Sequence, residues 1–121
     1  MGHVRRLTVT CVDYRFIAQE VDHIKQECGE ADLLSFPGAS LAFVMPESSQ
    51  LFLDWTRKLH SLHNFQEIEL IDHLDCGAYK HVYADQLRGK DAAAIERRLH
   101  EDNLRQAAKL LASDPGLSKL K

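Results

Sequence analysis

The sequence predicts one α/β domain over residues 1–121, three-layered, with a short central parallel sheet flanked by helices. Two observations predict it. Short β-branched and apolar runs alternate with stretches of helical periodicity in the order strand, helix, strand, helix, strand, helix. A chain of 121 residues is also long enough to cover a three- or four-stranded sheet on both faces. Such an order calls for right-handed crossovers, and open parallel sheets place their sites beyond the carboxyl ends of the strands.

The first strand is expected from Arg6 to Asp13, where β-branched residues dominate and the apolar character suits a strand buried on both faces. A helix follows, with Ile17, Val21, Ile24 and Cys28 at helical intervals and Gly29 as its stop. The second strand, Asp32 to Phe36, runs into Pro37-Gly38-Ala39-Ser40, which reads as a loop because proline and glycine end the ladder. From about Pro46 a second helix is expected to bury Leu51, Trp55, Leu59 and Leu62. The third strand, Glu67 to Asp72, ends on His73-Leu74-Asp75-Cys76-Gly77-Ala78, with a helix starting near Gly77. A long helix from Asp91 to Ser113, marked by Ile95, Leu99, Leu104, Ala108 and Leu111, stops at Asp114-Pro115-Gly116.

Charge and composition narrow the function. Fifteen basic against 18 acidic residues give a formal charge of −3, which supplies no electrostatic attraction for nucleic acid or an anionic membrane. The apolar run Leu7 to Val12 is too short for a signal-peptide core or a membrane span, so a cytoplasmic protein is expected. Three widely spaced cysteines without a secretory signal favour a metal site or buried thiols over a disulfide framework.

If the first and third strands are neighbours at the point where strand order reverses, Cys11 meets His73 and Cys76 across the crevice. Two thiolates and one imidazole form a borderline-soft set suited to Zn2+, and three protein ligands leave one tetrahedral position open. A helix beginning near Gly77 aims backbone N–H groups at the Cys76 sulfur and favours its thiolate. Asp13 and Arg15, two and four residues after Cys11, are close enough to form a charge-assisted pair. With Asp13 held by Arg15, the fourth position is free for water; with Asp13 on the metal, the site is closed.

Cys11-Val12-Asp13-Tyr14-Arg15 resembles the Cys-x-Asp-x-Arg motif of beta-class carbonic anhydrases, and His73-Leu74-Asp75-Cys76-Gly77-Ala78 resembles their His-x-x-Cys-Gly motif. The likeness runs loosely from Leu7 to Tyr79. It implies a beta-carbonic anhydrase-like parallel core, zinc held by Cys11, His73 and Cys76, and an Asp13–Arg15 pair that gates the water. It further implies reversible hydration of carbon dioxide to bicarbonate by zinc-bound hydroxide, and a homodimer or higher homo-oligomer. The chain departs from the family pattern at Ser35-Phe36-Pro37-Gly38-Ala39, where the family has Arg-Asn-x-Gly, and at Asp72, where it has glycine. The first strand also starts almost at Met1, without the family's N-terminal helical arm. The same ligands resemble relatives that hydrolyse carbonyl sulfide or carbon disulfide. A non-catalytic zinc-stabilised domain and thiol redox chemistry through Cys11 and Cys76 are the other readings.

Cys28 shares the helical phase of Ile17, Val21 and Ile24 and is expected in the core rather than on metal. His3, His23, His60, His63, His81 and His100 are expected on the surface or at helix ends, with His63 the candidate exception as a proton shuttle. Asp75 reads equally as a capping residue and as a support for His73 or the backbone. Glu96, among alternating charges on the last helix, reads as part of a solvated face.

Overall fold

Leu7, Val9, Leu34, Ile68 and Leu70 project from three neighbouring parallel strands onto a common apolar cluster. The strands are β1 (Arg6–Thr10), β2 (Ala31–Ser35) and β3 (Glu67–Leu70), in the order β2-β1-β3. The structure, a computed structural model, describes residues 5–27, 29–117 and 120. The expected core position of Cys28 and the expected surface position of His3 lie outside the described residues.

Register places Leu7 beside Asp32 and Ile68, and Val9 beside Leu34 and Leu70. Between the strands run the helices α1 (Ile17–Glu27), α2 (Leu41–Val44) and α3 (Ser49–His63), and after β3 come α4 (Gly77–Val82) and α5 (Ala92–Ser113). Phe43 of α2, Leu53 of α3, and Ala107 and Leu111 of α5 close the apolar cluster over one sheet face.

The opposite face is polar, which the sequence did not announce. β1 is buried on both sides as expected, but Thr8 and Thr10 point away from the apolar cluster. Arg6 donates to Glu67 (Nε to Oε1, 2.9 Å), Thr10 and Ser35 share a hydroxyl hydrogen bond of 3.1 Å, and His23 of α1 meets Glu69 at 2.9 Å. β3 is an edge strand, so its two glutamates stay partly hydrated while their partners cross the sheet.

Three helix faces differ from expectation. On α1, Ile17 is exposed, Val21 and Ile24 are half-buried, and Glu20 is the buried residue. On α3, Leu51, Trp55 and Leu62 are exposed, while Phe52, Leu53, Thr56 and Leu59 turn inward. Thr56 tolerates complete burial because its hydroxyl donates to the Phe52 carbonyl at 2.7 Å. The apolar residues of that helix occupy two adjacent stripes, and contact with the sheet selected one of them. On α5 the inward face is Glu96, His100, Asn103, Ala107 and Leu111, polar in its first half. The short α2 was not foreseen, since four residues carry no readable period.

Among the described residues, no helix is long and apolar enough to cross a membrane.

Candidate metal centre

Cys11 follows β1 directly and continues the inward alternation of Leu7 and Val9, so its sulfur points to the core with 4 % of the residue exposed. His73 and Cys76 follow β3, the strand hydrogen-bonded to β1, so the two motifs meet at adjacent carboxyl ends. The turn between them is closed by Asp75 in the left-handed region (φ 57°), which aspartate tolerates better than most residues. Cys76, 1 % exposed, is the residue before α4.

The potential ligand atoms of Cys11, His73 and Cys76 all lie within 4.8 Å of one another, and the two sulfurs are 4.0 Å apart. Tetrahedral zinc with Zn–S of about 2.3 Å needs sulfurs about 3.8 Å apart. His73 Nδ1 donates to the Leu74 carbonyl at 2.8 Å, which leaves Nε2 as the free electron pair. That Nε2 is buried without a hydrogen-bond partner among the described residues, its nearest charged neighbour being Asp13 Oδ2 at 3.7 Å. A buried acceptor left unpaired is costly, and a cation at this point satisfies it. The three residues could hold a metal ion.

Burial pushes the Cys76 thiol up to about 11, while backbone N–H groups of Tyr79 and Ala78 pull the other way. Those N–H groups belong to the helix expected at Gly77. The Cys11 sulfur accepts from Gly38 N–H at 3.3 Å. Gly38 has φ 86°, and a Cβ there would sit 2.4 Å from Leu41 Cδ1, so only glycine brings this turn up to the sulfur.

Asp13 and Arg15 pair in a fork. Arg15 Nε reaches both Asp13 oxygens at 3.1 Å and Nη2 reaches Oδ2 at 2.6 Å. These hydrogen bonds from Arg15 hold the Asp13 carboxyl down at about 2. The same guanidinium spans to the second turn, donating to Asp75 Oδ2 at 3.0 Å and to the Asp75 carbonyl at 2.7 Å. Asp75 also pairs with Lys80. Arg15 thus ties the Cys11 turn to the Cys76 turn, which the sequence left open for Asp75.

Sequence reasoning missed the polar cluster behind the ligands. Asp72, which stands where the resembling family has glycine, accepts from Ser40 N–H (3.0 Å), Ser40 Oγ (2.6 Å) and Tyr79 Oη (3.1 Å). His100 Nδ1 lies 2.7 Å from Asp72 Oδ2, and its Nε2 lies 3.0 Å from Glu96 Oε2. Glu96 Oε2 also accepts the Cys76 backbone N–H at 2.9 Å. His100 and Glu96 are each 5 % exposed, so neither is the surface residue expected. The available signal was the spacing of Glu96, His100 and Asn103, polar residues at i, i+4 and i+7 of one helix.

Desolvation alone would lower the His100 pKa, but hydrogen bonds to Asp72 and Glu96 outweigh it and hold the ring above its ordinary 6.5. The resulting stabilisation is complete below about pH 6.5 and fades as pH rises through the higher folded value. Nitrogen NMR of the His100 ring is expected to show a titration midpoint above the ordinary imidazole value; a midpoint at or below it contradicts the assignment.

His63 is not near the ligands. Its Nδ1 meets Asp32 at 2.6 Å, near the amino end of β2, which rules out a shuttle role at the opposite end of the sheet. Glu20 of α1 and His73 line a cavity of about 460 Å³ with Phe16, His23, Leu70 and Leu104. Burial raises the Glu20 carboxyl pKa.

The chain is 35% identical over 118 residues to an uncharacterized protein of Rickettsia bellii (strain RML369-C), covering 92% of this chain and 70% of the relative. It is 36% identical over 98 residues to an uncharacterized protein of Rickettsia conorii (strain Malish 7), covering 75% of this chain and 52% of that relative. No protein-family model and no solved structure matches the chain.

Proposed function

We propose that this chain, which belongs to the family of the uncharacterized Rickettsia bellii protein, is a zinc-dependent lyase of beta-carbonic anhydrase type that interconverts carbon dioxide and bicarbonate. One observation carries the reading: two buried sulfurs and an otherwise unpartnered His73 Nε2 converge within 4.8 Å at adjacent strand ends. Cys11, His73 and Cys76 hold the zinc. When bound, the ion supplies Lewis acidity and lowers the pKa of a coordinated water to about 7. Asp13, gripped by Arg15 and 3.7 Å from His73 Nε2, would accept a hydrogen bond from a water held beside that ligand. A cytoplasmic homodimer or higher oligomer is part of the same reading, and the exposed Val12, Tyr14, Ile17 and Leu74 supply apolar surface for it.

The test is hydration of carbon dioxide by metal-loaded protein across pH 7 to 9. Asp13→Asn is expected to keep its zinc and lose turnover by about 100-fold. A native rate no faster than buffer rejects the lyase; hydrolysis of carbonyl sulfide without hydration moves the substrate and keeps the centre.

One observation favours a second reading, a zinc-stabilised domain without catalysis. The N–H groups of Gly38, Ala39 and Ser40 are taken by Cys11, Phe36 and Asp72, so this turn presents none of them to a substrate. Retained zinc with Asp13 as fourth ligand, and no exchangeable water at any pH in that range, supports the second reading over the first.

A further inference from the structure

Beyond the ligands, a single imidazole bridges the supports of the two ends of the turn that carries His73 and Cys76. Asp72 precedes His73 in the chain and faces His100 Nδ1 at 2.7 Å. Glu96 receives the Cys76 N–H at 2.9 Å and faces His100 Nε2 at 3.0 Å. Glu96 and His100 are four residues apart on the inward face of the 22-residue α5, so one rigid helix presents both contacts. The ring also stacks on Tyr79 with centroids 3.6 Å apart, which fixes its plane.

We infer that His100 is a positioning residue for the metal centre, an imidazole that donates from both nitrogens and thereby sets the separation of His73 from Cys76. The inference rests on the metal reading above. Each ring nitrogen faces a carboxyl oxygen, so with Asp72 and Glu96 ionised both nitrogens donate, and no other side chain of that shape offers two opposed N–H groups. With the ring's donors gone, two buried carboxylates face each other without a shared partner, and Glu96 loses its hold in front of the Cys76 N–H. Groups that orient metal ligands from behind are worth about 10- to 100-fold in metal affinity.

The test uses the full chain and cobalt(II) ion, titrated in competition with a chromophoric chelator. His100→Phe keeps the ring and its stacking and deletes both donors. It is expected to weaken cobalt binding by about 10- to 100-fold and to shift the sulfur-to-cobalt charge-transfer band. Glu96→Ala is expected to do the same, and Glu96→Gln, which keeps an acceptor for Cys76 N–H, to recover most of the affinity. This series carries the test should His100→Phe not fold. Arg57→Leu, which breaks the Arg57–Asp114 pair at the far end of α5, is the control: a lower melting temperature with unchanged affinity and spectrum.

His100→Phe or Glu96→Ala protein that melts earlier yet binds cobalt within about twofold of native, with an unchanged spectrum, overturns the inference and leaves these residues as core packing. Native protein that binds no cobalt overturns the metal reading itself and the inference with it.

Discussion

Cys76→Ser protein purified without chelators is expected to carry under about a tenth of an equivalent of zinc, against about one for the unchanged chain. The serine hydroxyl does not ionise at neutral pH, and zinc needs deprotonated ligands. With two of the three proposed ligands left, the centre loses the sulfur pair whose 4.0 Å separation suits a tetrahedral ion. The loss extends to folding. Without the ion, His73 Nε2 stays buried and unpaired and Cys11 loses its counterpart. Metal present at about a thousand times its dissociation constant stabilises the folded state by about 4 kcal/mol, so the variant is expected to unfold as chelator-treated native protein does. His73→Ala is expected to behave alike. A Cys76→Ser sample with full zinc content, by metal analysis of the purified protein, removes Cys76 from the ligand set.

Asp72→Ala is expected to lower the unfolding free energy by about 3–5 kcal/mol. Its carboxylate is 4 % exposed and serves Ser40 N–H, Ser40 Oγ, Tyr79 Oη and His100 Nδ1 together. Alanine leaves those donors facing a cavity, and the buried imidazole keeps only Glu96 as a partner. The expected loss is a large share of the total stability of about 5–15 kcal/mol that a domain of this size has. Asp72→Asn should lose less, since its carbonyl can still accept from Ser40 N–H. Urea unfolding reads the difference directly, with an unchanged slope showing that the native fold persists. A midpoint within experimental scatter of native contradicts the assignment of Asp72 as the centre of this cluster.

The strand order and the meeting of Cys11 with His73 and Cys76 were legible because both depend on local pattern and on one topological rule. The Leu-Thr-Val-Thr run, rich in β-branched residues, makes β1, the turn residues end β2, and a parallel sheet with β1 beside β3 leaves little choice about where the following residues meet. The Asp13–Arg15 pair was equally legible, because residues two apart at a strand end are within reach whatever the rest of the chain does.

The inward faces of α1, α3 and α5 were not. Leu51, Trp55 and Leu62 are as apolar as Phe52, Leu53 and Leu59, so period alone selects no stripe on α3. On α5 hydrophobicity points to Ile95, Leu99 and Leu104, whereas the fold buries Glu96, His100 and Asn103 beneath the turn that carries Cys76. A buried charge is stable only where its partners are also brought in, and those partners, Asp72, Tyr79 and the Cys76 N–H, come from other segments. Local chemistry therefore named Cys11, His73 and Cys76 as a group that could hold a metal ion, because a thiolate or imidazole carries its affinity in its own atoms. The support behind them belongs to the packed chain, because a hydrogen bond between distant residues exists only once both have been placed.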